Sequence, residues 1–276
     1  FDSSSGPGAA SEGPYLLALT LNTPDPDYFK MTLRKGDIVG GSVLLGTTGF
    51  IDVLDASGDL LIGSAQDASF LYPAASTLPG GIGQTLAYVI AEDGTYYLRL
   101  RGFTNTDYTC MASVFRPVLE QQPLDSRQIL FLDFNGASVN AAIFGGSGVR
   151  NLSPLSSFLA GWGLSGADEN AVIDAIVAAT RESIETDIEF PGGNNPLFDI
   201  EIRNSRDHAD PFGQANVSRV IVGGTISELG LSTIGIAESI DPGNFETKET
   251  GVVLLDLLSA PAPDPNSLNS IARTTG

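Results

Sequence analysis

The chain has 276 residues with 33 acidic and 14 basic side chains, one histidine and one cysteine, which gives a formal net charge of −19. This charge repels nucleic acid phosphates and anionic lipid surfaces, so we expect no nucleic acid partner. A single histidine and a single cysteine exclude a zinc site built from these residues, a four-cysteine cluster and an intrachain disulfide bond. No apolar run approaches the roughly 18 residues of a membrane span, so we expect no span.

The composition favours an exported bacterial protein, since the chain is acidic and has only three lysines and one cysteine. Its first residues contain neither the basic region nor the apolar core of a signal peptide. We therefore expect either a cytosolic protein or one whose signal peptide was removed ahead of residue 1.

Residues 14–117 are predicted to form a β-sandwich, after a flexible leader at residues 1–13. Short apolar or alternating segments follow one another at the spacing typical of such a fold, and turns containing Asp-Gly and Ser-Gly pairs separate them. No segment of this region keeps a helical period. The predicted strands are residues 15–21, 28–33, 38–45, 50–55, 86–90, 95–100 and 108–115.

Residues 118–126 are predicted to be a linker, and residues 127–276 a mixed α/β domain. A polar stretch bracketed by prolines marks the change in composition. One helix is predicted over residues 168–187, because Ile173, Ile176, Val177, Thr180 and Ile184 recur at helical spacing. The predicted strands of this domain are residues 128–134, 198–202, 219–222 and 252–258.

Few residues of the chain suggest catalysis. His208 stands beside Asp207 and Asp210, which would suit a catalytic or metal-binding role, but its position after a predicted strand is more typical of a surface loop. No Gly-x-Ser-x-Gly nucleophile elbow occurs, and the glycine and serine cluster at residues 161–166 has a different spacing. Cys110 lies in a predicted strand and is expected to be a small buried side chain rather than a nucleophile. We therefore predict no catalytic residue within this chain.

Glycine-rich segments and groups of acidic residues are two further kinds of candidate ligand site. Residues 80–83 and 145–148 lack both the Gly-Lys-Ser/Thr ending of a phosphate loop and the dinucleotide fingerprint, so flexible loops are the better interpretation. Two groups of oxygen-bearing side chains have a spacing that suits calcium, although neither matches an EF-hand and solvated turns are favoured. These groups are Asp52, Asp55 and Asp59, and Asp241, Asn244 and Glu246.

The first domain resembles the bacterial pre-peptidase C-terminal domain, a β-sandwich appended to secreted peptidases. The resemblance extends over about 100 residues and depends on three segments in the same order as in the family. They read Asp-Pro-Asp-Tyr-Phe and Leu-Arg-Lys-Gly-Asp at residues 25–37, Ile-Asp-Val-Leu-Asp-Ala-Ser-Gly at residues 51–58, and Gly-Thr-Tyr-Tyr-Leu-Arg-Leu at residues 94–100.

The second domain resembles the N-terminal part of a secreted zinc metallopeptidase domain of the matrixin-like zincin type. The segments that carry the resemblance are residues 129–136, 171–186, 198–202, 220–224, 235–244 and 251–255. Such domains have the order strand, helix, strand, strand, strand ahead of an active-site helix with the motif H-E-x-x-H, whose histidines bind zinc. The resemblance implies a protein or peptide substrate.

The chain departs from that family because it contains no H-E-x-x-H motif. By analogy residues 267–276 would begin the active-site helix. We expect either a longer product, which alone would bind zinc, or a natural short form without peptidase activity. No zinc ligand or general base is therefore assigned to any residue of this chain.

A non-catalytic secreted or cell-surface binding protein is the alternative. In that case the sandwich would contact a protein or an extracellular polymer, with the second domain as a scaffold. Tyr28, Tyr72, Tyr96 and Tyr97 are the candidate contacts, although strand alternation places about half of them in the core.

Overall fold

The computed structural model describes residues 15–19, 26–45, 49–81, 83–102, 108–116, 127–184 and 200–258. These residues form two compact units. The first unit contains the described residues up to 116 together with Ile240–Glu246, and the second contains the other described residues. The predicted leader and linker, and residues 259–276, lie outside the described residues.

The first unit consists of two four-stranded antiparallel sheets, with strand orders β1-β8-β3-β6 and β2-β7-β4-β5. Its strands are β1 (Tyr15–Leu19), β2 (Asp27–Leu33), β3 (Ile38–Leu45), β4 (Phe50–Leu54), β5 (Leu60–Ser64), β6 (Thr85–Val89), β7 (Gly94–Arg101) and β8 (Tyr108–Phe115).

One apolar core joins the two sheets. Side chains alternate across a strand, so every second residue of a half-buried strand points inward. In β7 the inward residues Tyr96, Leu98 and Leu100 are buried, and they belong to the same cluster as Val39 and Val43 of β3. Two antiparallel sheets with a shared core make this unit a β-sandwich, as predicted.

Two tyrosine side chains of this core form hydrogen bonds through their hydroxyl groups. Tyr108 of β8 is buried and donates to Asp27 Oδ2 of β2, so it joins strands of different sheets. Burial raises the pKa of Tyr108, and the hydrogen bond to Asp27 raises it further. Tyr96 donates to the backbone oxygen of Glu92 at 2.8 Å, four residues earlier in the chain. Both hydroxyls therefore stay satisfied inside the sandwich.

The second unit contains a five-stranded mixed sheet and one long helix. Strands β12, β9, β13 and β15 run parallel, and β14 pairs with β15 in the antiparallel sense at one edge. A separate hairpin is formed by β10 and β11. The elements are β9 (Gln128–Asp133), β10 (Ala137–Asn140), β11 (Val149–Leu152), α1 (Glu169–Glu182), β12 (Ile200–Asn204), β13 (Val217–Val222), α2 (Ile226–Leu229), β14 (Gly235–Ala237) and β15 (Lys248–Val253).

The two faces of this sheet have different covers. On one face α1 packs through Val172, Ile173 and Ile176 onto apolar residues of β9 and β13. On the other face the β10–β11 hairpin and α2 cover Ile221 and Val252. Parallel strands with both faces covered explain the nearly continuous apolar run of β9.

The buried face predicted for the helix at residues 168–187 is confirmed for its first three turns, while α1 ends at Glu182 and residues 185–187 lie outside the described residues. Ile173, Ile176 and Thr180 are buried, and the Thr180 hydroxyl donates to the Ile176 backbone oxygen. The helix starts after a 3₁₀ turn at Gly166–Asp168, where Asp168 accepts hydrogen bonds from the backbone and hydroxyl of Ser165. These bonds lower the pKa of Asp168. The carboxylate thus lies at the positive end of the helix, where it stabilises the first turn.

Four observed strands are absent from the predicted strands, and one predicted strand was misplaced. β5, β10, β11 and β14 have three to five residues each, too few to show the alternation that reveals a strand. The strand predicted at residues 252–258 runs instead over Lys248–Val253, because its first half is polar and pairs with β13. No helix among the described residues is long and apolar enough to cross a membrane.

Candidate functional site

His208 belongs to a tight turn at the end of β12. Its backbone N–H donates to the Asn204 oxygen at 3.0 Å, and its ring Nδ1 lies 3.3 Å from the backbone nitrogen and oxygen of Asn204. The buried Asn204 side chain in turn accepts from the backbone N–H groups of Arg206 and Asp207. The imidazole is exposed and closes this turn, which is a structural role.

Arg206 connects that turn to α1. Its guanidinium bonds Asp174 at 2.6 Å and Asp207 at 2.7 Å, and it also donates to the Asn170 backbone oxygen at 3.0 Å. The hydrogen bond from Arg206, with a second from Asn204, lowers the pKa of Asp207 to about 2. The Asp207 carboxylate beside His208 is therefore already paired and is not a free general base.

Asp133 was not singled out by sequence reasoning. It is the last residue of β9, at the carboxyl end of a central parallel strand, which is where open α/β sheets place ligands. Its side chain is buried and accepts from the Asn135 backbone at 3.0 Å. Burial raises the pKa of Asp133, while the hydrogen bond from Asn135 and the charge of Arg219 oppose this shift. The sequence does contain a signal for this residue, because Asp133 is a single acid that directly follows the apolar residues 129–132.

The first calcium candidate does not gather its three carboxylates. Asp55 Oδ1 accepts from the backbone of Ser57 at 2.8 Å and of Asp59 at 2.9 Å, which makes it a turn residue. Asp52 is completely buried and pairs with two arginines. A carboxylate neutralised in this way is a poor ligand for a cation.

The second calcium candidate is also organised as a turn. Asp241 Oδ2 accepts from the Glu246 backbone at 2.7 Å, and the Asn244 backbone donates to the Asp241 backbone oxygen at 3.2 Å. Among the residues that the structure describes, no group of three or more His, Cys, Asp or Glu side chains would hold a metal ion.

Asp52, Arg99 and Arg101 form a charged cluster that the sequence analysis did not predict. We call it the Asp52 cluster. Asp52 lies on the outer side of the sheet that contains β2, β7, β4 and β5, and its Oδ2 accepts from Arg99 Nε at 2.9 Å and Arg101 Nε at 2.7 Å. Its Oδ1 is buried without a hydrogen-bond partner and lies over Gly63. Two guanidinium groups on one carboxylate leave the cluster with a net positive charge.

The candidate tyrosines separate into two kinds. Tyr28 is 54% exposed, and Tyr72 and Tyr97 are half-buried. Tyr96 was wrong as a surface contact, because β7 turns its ring into the sandwich core. In the glycine segment at residues 145–148, Gly145 and Gly148 have φ of 80° and 73°, whereas the segment at residues 80–83 is only partly among the described residues.

Cys110 is buried in β8, as expected, and its desolvation raises the pKa of the thiol to about 12. Because only the thiolate reacts, the native protein should not react with a disulfide reagent such as Ellman's reagent at neutral pH. Complete labelling should appear only once a denaturant unfolds the first unit. Fast labelling of the native chain would show that β8 opens readily.

Comparison with known proteins gave structural neighbours of low similarity. A pre-peptidase C-terminal domain of a collagenase from Bacillus anthracis aligns with 38% of this chain and 89% of its own length, at 16% identity and a TM-score of 0.27. Periplasmic inhibitors of g-type lysozyme from Aeromonas hydrophila and Salmonella Typhimurium each cover 39% of this chain and 90% and 92% of their own, at 10% and 13% identity and TM-scores of 0.25 and 0.28. No family model and no curated protein sequence matches the chain.

The class of protein is therefore defined by the chain's own architecture. It is a two-unit protein in which a β-sandwich comes first and a mixed α/β unit follows. The carboxylates of two of its candidate sites are paired, Asp207 with Arg206 and Asp52 with Arg99 and Arg101.

Proposed function

We propose that this chain is the N-terminal portion of an exported bacterial zinc metallopeptidase. In this proposal the sandwich precedes a zincin-type sheet, and the full-length product hydrolyses peptide bonds in a protein or peptide substrate. The zinc-binding helix is supplied by sequence that follows residue 276.

The observation that carries the proposal is the order and pairing of elements in the second unit. The chain runs from β9 through α1 to β12, β13, β14 and β15, and these strands form one sheet. Strand, helix and then further strands is the order that the resemblance to the zincins implies. The antiparallel strand β14 at the edge departs from an all-parallel crossover sheet, which narrows the number of folds that fit.

A second observation agrees with this proposal. On the face that α1 covers, Val220 of β13 and Val253 of β15 remain only half-buried, whereas Val222 is fully buried. Apolar residues of a sheet tend to be covered by a packed element. A second helix placed beside α1 on this face would complete the layer.

The residues of this chain do not fit zinc themselves. The sequence contains one histidine, which closes the turn after β12, and one cysteine, which is buried in the sandwich. No catalytic step is therefore assigned to them. The contribution of this part of the chain is to provide the sheet and α1 against which an active-site helix packs.

The test is to express the complete reading frame and to compare it with this 276-residue chain as the matched control. The longer product should contain stoichiometric zinc, hydrolyse an unfolded protein such as casein, and lose activity on chelation. The 276-residue chain should bind no zinc and should not hydrolyse casein. The proposal fails if the reading frame encodes no H-E-x-x-H, or if the longer product binds no zinc.

A further inference from the structure

The outer face of one sandwich sheet combines aromatic and cationic side chains. Because Tyr96, Leu98 and Leu100 of β7 point into the core, the residues between them point outward. Strand pairing sets neighbours beside them on the same face. We call this surface the basic face, and its residues are Tyr28, Lys30, Phe50, Tyr97, Arg99 and Arg101.

The charge of the basic face is opposite to that of the chain. The whole chain has a net charge of −19, but the outward positions of β2, β7 and β4 carry three cations and one carboxylate, that of Asp52. Asp52 lies beneath the arginines and is not exposed. Screening limits the reach of charges to about 8–10 Å in physiological salt, so a ligand at this face senses mainly its local positive charge.

The arginines are held in place before any ligand arrives. Arg99 bonds Asp52 through both Nε and Nη2. Arg101 bonds the same carboxylate through Nε, and its Cζ lies 4.0 Å from the centre of the Phe50 ring. A guanidinium fixed on two sides loses little entropy when it binds a carboxylate with its remaining N–H groups.

Two of the three aromatic residues of the basic face are exposed, and Tyr97 is half-buried. Tyr28 is 54% and Phe50 39% accessible. Tyrosine, phenylalanine and arginine are enriched in protein interfaces, whereas lysine and aspartate are depleted, and this face has one lysine and one buried aspartate.

We propose that the basic face binds an acidic polypeptide segment that also carries apolar side chains. A polypeptide is favoured over an anionic polysaccharide because Arg101 already covers one face of the Phe50 ring. That ring then offers apolar contact rather than an open stacking platform for sugars. The inference concerns the sandwich alone and is independent of the peptidase proposal.

The probe is a labelled random copolymer of glutamate and tyrosine, titrated with the whole chain and followed by fluorescence anisotropy. Saturable binding that weakens as salt is added is expected. Lys30→Glu should weaken binding about tenfold, because it reverses an exposed charge on the face. Tyr28→Ala should weaken it roughly fivefold by removing an exposed aromatic contact. Both variants should keep the native far-ultraviolet circular dichroism.

The matched control is Lys248→Glu, which makes the same charge reversal at an exposed lysine of β15 in the second unit. Its affinity should equal that of the unmodified chain. The proposal is overturned if Lys248→Glu weakens binding as much as Lys30→Glu, or if Lys30→Glu has no effect. It is also overturned if polygalacturonate competes as well as the copolymer, or if sedimentation shows that Lys30 serves self-association instead.

Discussion

Gly136→Ala is expected to leave the second unit unfolded or nearly so, whereas Gly148→Ala should be tolerated. Both glycines have φ of +73°. An added methyl group at Gly148 meets nothing within 4 Å, but at Gly136 it would lie 2.8 Å from Pro154 N and closer still to the Leu152 oxygen. Gly148→Ala then carries only the left-handed backbone cost of about 1 kcal/mol. Gly136→Ala should cost about 4 kcal/mol or more, because backbone of the segment after β11 must move.

The fluorescence of Trp162 allows the stability of the Gly136→Ala and Gly148→Ala variants to be compared directly. Trp162 is the only tryptophan of the chain, and it lies buried in the core between α1 and the sheet of the second unit. Urea unfolding followed by tryptophan fluorescence therefore reports that unit, while all seven tyrosines belong to the first. Equal midpoints for the two variants would show that the hairpin backbone adapts to a side chain at Gly136.

Removing the carboxylate of Asp52 is the second large effect that we expect. Asp52→Ala leaves Arg99 and Arg101 next to each other without the anion they share at 2.8 and 2.7 Å. Breaking a buried ion pair typically costs 3–5 kcal/mol, but these arginine side chains are 21% and 38% exposed and regain water. A loss of about 2–3 kcal/mol in the stability of the sandwich is therefore expected, measured by tyrosine signals in urea.

Gly63 supplies the partner for a double-mutant cycle. An alanine methyl group at Gly63 would overlap Asp52 Oδ1, so Gly63→Ala should destabilise the sandwich by displacing that carboxylate. In the Asp52→Ala background the same change should cost little, giving strong non-additivity. Asp59→Ala, at an exposed acid close by in sequence, should stay within about 0.5 kcal/mol of the unmodified chain. Additive effects at positions 52 and 63 would contradict the proposed contact.

Local periodicity explains what could be predicted from the sequence. β7 and α1 were predicted because each buries one face. Apolar residues therefore recur every second position in the strand and about every 3.6 positions in the helix. The hairpin strands β10 and β11 have four residues each, too few for any period to appear. Their place is set by packing over Ile221 and Val252, which come much later in the chain.

The charged sites could not be predicted from the sequence, for a different reason. Asp52 was grouped with Asp55 and Asp59 as a possible calcium ligand because of their spacing, with solvated turns as the favoured interpretation. Its arginine partners lie 47 and 49 residues away, and only the register of β4 with β7 brings them together. No local pattern carries that register, so the ion pair and the basic face above it appear only in three dimensions.

The position of β8 determines when the sandwich is able to fold. β8 is the last strand of its unit in sequence, yet it lies between β1 and β3. A nascent chain that has not reached residue 115 therefore holds β1 without its neighbour and β3 with an unpaired edge. Sheets closed by such distant pairings form slowly, in about milliseconds to seconds. All residues up to Phe115 must leave the ribosome before this sheet closes, and the delay keeps the emerging chain accessible to chaperones.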